Sequence, residues 1–211
     1  MSIPVENLQA EDTLVLAHGL AARPLIMFPL ARSLRPGFGK VINWGYPSLW
    51  SRIETHADRL AELLQQLDHE GNEGRVHLVC HSMGCIIARL ALTEYRPRRL
   101  GRFVMIAPPN RGSRWARHLA PHLGRFSPPI AQLTDDDASF VRSLPPPNIP
   151  EIGIIAARFD FMVAQPNTYL GCEADHIVLP GLHSTVLWRQ ETARQVRHFI
   201  EHGCFWRDGG R

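Results

Sequence analysis

Nowhere in the 211 residues is there an apolar run near the roughly 20 residues a membrane-spanning helix needs, so no integral membrane association through a helix is expected. The first residues, Met1-Ser2-Ile3-Pro4-Val5-Glu6, lack a positive region followed by an apolar core, so they do not read as a secretory signal. Cysteine is scarce: Cys80, Cys85, Cys172 and Cys204 show no paired spacing, and the expectation is reduced thiols in a cytoplasmic protein. An excess of one charge is missing too, since 23 basic and 20 acidic residues leave a formal net charge of +3. The only basic cluster, Arg96-Pro97-Arg98-Arg99, reads as a solvated loop where a helix gives way to a strand. Without a stripe of basic and aromatic residues, no nucleic-acid partner is expected.

Metal-ligand spacing is thin despite eleven histidines. His118 and His122 stand four apart, but Pro121 lies between them and no paired partner follows. Three adjacent acids, Asp135-Asp136-Asp137, cannot converge easily on one ion and read instead as charge at a helix start. Neither a metal nor a cofactor is expected. Repeats and low-complexity segments are also absent, and the length suits one domain over 1–211.

What is present is an alternation of apolar strands and amphipathic helices. Thr13-Leu14-Val15-Leu16-Ala17 is continuously apolar after its first residue, as a parallel strand covered on both faces must be. Similar runs follow at Val41–Trp44, Val76–Cys80, Phe103–Ala107, Ile152–Ala157 and His176–Leu179. Between them, Ile53, Ala57, Leu60, Leu64 and Leu67 recur at helical spacing opposite Glu54, Asp58 and Glu62. A last amphipathic helix is expected over Glu191 to His202. The fold class is therefore α/β, a single domain with a mostly parallel sheet of about six strands and helices on both faces. From 110 to 150 prolines and polar residues loosen the pattern, leaving one short helix at Asp136 to Leu144 and a minimal cap.

The chain is organised around His77 to Leu90. An apolar strand breaks sharply at Ser82 and an apolar-rich helix begins at once, the context in which a strained turn presents a serine hydroxyl at a sheet edge. The pattern Gly-x-Ser-x-Gly is here Cys80-His81-Ser82-Met83-Gly84, with a small cysteine where strand and helix close on each other. A serine needs a positioned base, and the base needs an orienting acid. Reactive groups in such sheets gather at the carboxyl ends of the strands. Asp160 lies just past the fifth strand and His183 just past the sixth, in the chain order of these elbows. Asp175 also precedes His183, but it stands at the start of the sixth strand, at the opposite edge, and reads as a structural residue. Two backbone amides should hold the developing oxyanion, that of Met83 and that of Leu20 in His18-Gly19-Leu20.

On these motifs the chain resembles α/β-hydrolase-fold serine esterases and lipases, in particular the small bacterial lipase/esterase group that includes PGAP1-like proteins. The matching residues are His18-Gly19, Tyr46-Pro47-Ser48, His81-Ser82-Met83-Gly84, Pro109-Asn110-Arg111-Gly112-Ser113, Asp160 with Val163, and His183, in the group's order from about Leu14 to Phe199. The departure is Cys80 at the first elbow glycine. The resemblance implies a Ser82–His183–Asp160 triad that hydrolyses carboxylic esters without a cofactor. Acyl transfer on the same triad, and a silent binding protein of the same fold, are the alternatives. The expected partner is a small-molecule or lipid-like ester of short or medium acyl length. With no long amphipathic helix to serve as a lipid-gated lid, strong activation at a lipid interface is not expected.

Overall fold

A computed structural model describes residues 11–71, 73–147, 149 and 151–207. The N-terminal stretch read for a signal, and Pro150 at the end of the loosely patterned segment, lie outside the described residues. Six strands form one parallel sheet: β1 (Thr13–Ala17), β2 (Lys40–Trp44), β3 (Val76–His81), β4 (Leu100–Ile106), β5 (Ile152–Ala157) and β6 (Asp175–Leu179). Their order across the sheet is β2-β1-β3-β4-β5-β6, so β3 sits inside and β6 at an edge. β1, β3 and β5 are buried along their whole length, which is why they read as unbroken apolar runs rather than as alternation.

Parallel strands need crossovers, and helices supply them on both faces. α1 (Phe28–Leu34) follows a short 3-10 turn at Pro24–Met27, α2 (Ile53–His69) follows β2, and α3 (Met83–Glu94) follows β3. α7 (Gln190–His202) follows β6. Side chains of successive strand residues part to opposite faces. Val15, Leu78, Cys80 and Met105 join Leu60, Leu64 and Ile87 in one core beneath α2 and α3. Leu14, Leu16, Val79 and Val104 join Leu30, Val196 and Phe199 in the other, beneath α1 and α7. Each fully buried Leu, Ile or Phe contributes about 1.5–3 kcal/mol relative to exposure. One charged side chain crosses this second layer: Arg102 on β4 is almost wholly buried, pairs with Glu151 and donates to the Ile200 carbonyl of α7 at 2.6 Å.

The stretch from 110 to 150 is more ordered than its composition suggests. It carries α4 (Arg114–Leu123), α5 (Pro128–Gln132) and α6 (Phe140–Ser143) where one short helix was expected. α4 escapes a periodicity reading because Ala116 is its only buried residue and Pro121 lies inside it. The helix expected from Asp136 begins four residues later, at Phe140. The acids ahead of it do not cap that helix: Asp135 and Asp136 face Arg117, and Asp137 pairs with Arg142.

Candidate active site

Ser82 occupies the single residue between β3 and α3, with φ 51° and ψ −125°. A non-glycine residue at positive φ is strained unless its surroundings over-determine it. Here the Ser82 amide donates to the Ile106 carbonyl of β4 at 2.9 Å, and its own carbonyl accepts from the Cys85 amide at 2.9 Å. Gly84 makes the turn possible, since a Cβ there would stand 2.5 Å from the His18 carbonyl oxygen and 2.7 Å from that of Ala17. Cys80 fits where the usual glycine is absent because its side chain points into the α2–α3 core, beside Cys85, whose thiol donates to the Cys80 carbonyl at 3.1 Å. Burial pushes both thiols well above their ordinary pKa, so they are inert packing groups.

The carboxyl ends of β5 and β6 bring two further groups to this serine. His183 Nε2 lies 2.8 Å from Ser82 Oγ, and His183 Nδ1 lies 2.7 Å from Asp160 Oδ2. The carboxylate is an acceptor only, so it fixes the imidazole proton on Nδ1 and leaves Nε2 to accept from the serine hydroxyl. Asp160 is itself held, its other oxygen accepting the amides of Met162 and Val163 at 2.9 Å each. Behind the histidine, His81 packs its ring at 4.9 Å and places Nε2 2.9 Å from the His183 carbonyl oxygen. Burial, with the neighbouring His183, pushes the His81 pKa down to about 3, so His81 is a neutral donor to that carbonyl.

The loop after β1 closes the other side. A Cβ on Gly19 would stand 2.8 Å from Ser82 Cβ and 3.4 Å from Oγ, so only a glycine backbone can lie against the serine here. The loop is braced from beneath by Tyr46, which stacks on His18 at 4.3 Å and donates its hydroxyl to the His18 carbonyl at 2.5 Å. Leu20 follows directly, its side chain packed on the core. Met83 opens α3, where the first-turn amides have no intrahelical acceptor. The sequence pointed to all five positions, and the structure gathers Ser82, His183 and Asp160 into one hydrogen-bonded chain, with the Gly19 backbone against the serine and Met83 next to it.

A family model described as an alpha/beta hydrolase family matches residues 14–208. The chain belongs to that family. Among solved structures, the mature Bacillus licheniformis lipase BlEst2 is 16% identical with a TM-score of 0.70, the match covering 93% of this chain and 94% of that one. A lipase-esterase related protein from Clostridium acetobutylicum is 13% identical with a TM-score of 0.65, covering 93% and 97%. Aspergillus fumigatus lipase B is 16% identical with a TM-score of 0.67, covering 90% of this chain and 52% of that one. At these identities the likeness is one of fold. No curated protein sequence matches the chain.

Within this alpha/beta hydrolase the remaining acid is accounted for elsewhere. Asp175 opens β6 beside Gly153, the end of the strand away from Leu179 and the His183 loop. Its Oδ2 accepts from the Phe205 amide at 2.7 Å and from Arg207 Nη1 at 2.8 Å, while Oδ1 accepts from the His176 amide at 2.7 Å. Burial opposes its ionisation, yet Arg207 and these amides hold its carboxyl below the usual pKa. Among the described residues no three His, Cys, Asp or Glu side chains are placed to hold a metal ion, and no helix is long and apolar enough to cross a membrane. Sequence reasoning passed over two supports of this candidate site. The Tyr46-Pro47-Ser48 motif was visible, but its function as a brace beneath His18 was not. His81 was visible inside the elbow, but its bond to a carbonyl 102 residues away was not.

Proposed function

We propose that this hydrolase cleaves carboxylic esters through an acyl-enzyme intermediate on Ser82. The observation that carries the reading is the unbroken set of bonds from Ser82 Oγ through His183 to Asp160. Ser82 Oγ attacks the ester carbonyl carbon while its proton passes to His183 Nε2. The carbonyl oxygen becomes an oxyanion held by the amides of Leu20 and Met83. Collapse of the tetrahedral intermediate breaks the ester C–O bond, and the departing alcohol takes the proton from Nε2. Water then gives a proton to Nε2 and attacks the acyl carbon, and the carboxylic acid leaves with Ser82 restored. Asp160 stays ionised throughout, holding the imidazole's tautomer and balancing its transient charge.

Every atom in these two half-reactions comes from the ester, water and the side chains named, so no cofactor enters. The acyl group we assign is apolar and of short or medium length. Supporting this, the loops that deliver the acid and the base expose Phe159 and Phe161 on either side of Asp160, and Leu182 beside His183. A fluorophosphonate probe with a chain-length series of p-nitrophenyl esters tests the assignment. Ser82→Ala should lose probe labelling, and its ester hydrolysis should fall by about 10⁴-fold or more, with the unfolding transition kept. Labelling of the variant at the parent rate would refute the role of Ser82. Ester products formed in water–methanol mixtures separate hydrolysis from acyl transfer.

A further inference from the structure

A cavity of about 430 Å³ lies beside α3, and Ser82, Asp160 and His183 take no part in its walls. Arg89, which lines it, stands seven residues beyond the serine, about 10 Å along the helix axis. Three arginines line it, Arg89, Arg111 and Arg142. Arg89 is only 4% exposed. Its Nη1 donates to Asn110 Oδ1 at 3.1 Å and its Nη2 to the Leu144 and Pro145 carbonyls at 3.4 and 3.1 Å, while the buried Nε has no partner. All these acceptors are neutral, and no carboxylate pairs with Arg89 among the described residues. A guanidinium keeps its proton at neutral pH, and a buried cation without a counter-charge is costly.

Arg111 is exposed and has no acidic partner among the described residues. Arg142 donates through Nε to the Arg111 carbonyl at 3.3 Å and through Nη1 to Asp137 at 2.9 Å, but the Asp137 side chain is fully exposed and its charge is screened by solvent. Three arginines therefore line the cavity, and the one acid paired with any of them is screened. A purely structural Arg89, tying α3 to the Leu144–Pro145 loop, accounts for the hydrogen bonds. It does not account for the uncompensated charge, nor for two further arginines at the same cavity. The rest of the wall mixes apolar Val141, Leu144, Pro146 and Leu170 with polar Asn110. Small-molecule sites share this volume range and this mixture of apolar wall and a few convergent polar groups.

We propose that this cavity is a second ligand site that takes a small organic carboxylate with an apolar chain, its head group held by Arg89, Arg111 and Arg142. Planar guanidinium groups suit a carboxylate through paired N–H···O bonds, and the apolar wall suits the chain. Such an acid is also the class of product released at Ser82; that link alone rests on the ester-hydrolase reading, and the binding does not. The test is calorimetric titration of the Ser82→Ala protein, which cannot turn substrate over, with octanoate, octanol and inorganic phosphate. Octanoate should bind, octanol should show no saturable heat, and phosphate should bind at least tenfold more weakly. Replacing both Arg111→Gln and Arg142→Gln should weaken octanoate at least tenfold, with the unfolding midpoint serving as the check on folding. Unchanged octanoate affinity in that double variant, equal binding of octanol, or tighter binding of phosphate would each overturn the proposal. If Ser82 proves not to react with the fluorophosphonate, the same titrations still decide it.

Discussion

Gly84→Ala sets two effects of opposite sign against each other. Gly84 is the second residue of α3, and helix propensity alone makes alanine the better residue by up to about 1 kcal/mol. The surroundings argue otherwise. A Cβ would meet the His18 carbonyl oxygen at 2.5 Å, roughly 0.8 Å inside the shortest comfortable C···O approach of about 3.3 Å. The atoms it meets are backbone, so no side chain can rotate away. Either the start of α3 or the end of β1 must move by most of that overlap. Overpacking of this kind costs about 1–3 kcal/mol, which exceeds the propensity gain. The same shift moves Ser82 and the Met83 amide relative to His183, and a displacement near 1 Å at a reacting centre can cost about 100-fold in rate. Urea unfolding should show a less stable protein, and kcat/KM for p-nitrophenyl butyrate, measured on the folded fraction, should fall by about 10- to 100-fold. A variant as stable and as active as the parent would show that the approach of α3 to β1 does not set the geometry of the serine.

Asp160→Asn should lower kcat/KM by about 10⁴-fold while the fold stays intact, because the amide favours the wrong imidazole tautomer; Asp175→Asn, assayed at low temperature, should change it little, and the reverse ranking would transfer the acid's role to Asp175. Tyr46→Phe removes the hydroxyl beneath the His18 carbonyl, so stability should fall by about 1–3 kcal/mol and kcat should fall with little change in KM. His56 and His81 are buried with pKa values pushed down to about 4 and about 3, chiefly by burial, against about 6.5 in the unfolded chain. The unfolded chain therefore binds more protons in the range between, and the stabilisation these neutral imidazoles provide is complete above pH 6.5 or so and lost as pH falls. Unfolding free energies from urea titrations should drop from pH 7 to pH 4 at a rate approaching 1.4 kcal/mol per pH unit for each imidazole, and the His81→Gln variant should show a shallower slope.

Much of this was legible because a parallel sheet covered on both faces writes itself as unbroken apolar runs, and Thr13–Ala17 and Ile152–Ala157 do so. Ser82 could be read because a strand that stops and a helix that starts with one residue between them leave few other meanings. Asp160 and His183 could be read because strand direction assigns each to the end of the sheet where Ser82 lies. The helices from 114 to 143 could not. α4 buries only Ala116 and α5 opens on two prolines, so neither carries the apolar stripe that marks a helix. Nor could the arginine cavity, because Arg89, Arg111 and Arg142 come from separate segments and meet only in the fold.

His183 follows an edge strand of the sheet, β6. β6 pairs on one side only, with β5, and four of its five residues are just half-buried. The clamp at its far end, where Asp175 holds Arg207 and the Phe205 amide, fastens the strand that leads to His183. Edge elements open locally at lower free energy than the core they cover. Heating should therefore detach the histidine from its serine while β1, β3 and α3 keep their places, and the protein should fall silent before it melts. Breaking the clamp with Asp175→Asn should widen the gap between those two temperatures. The temperature of inactivation thus gauges the fastening of one strand, and the melting temperature gauges everything else.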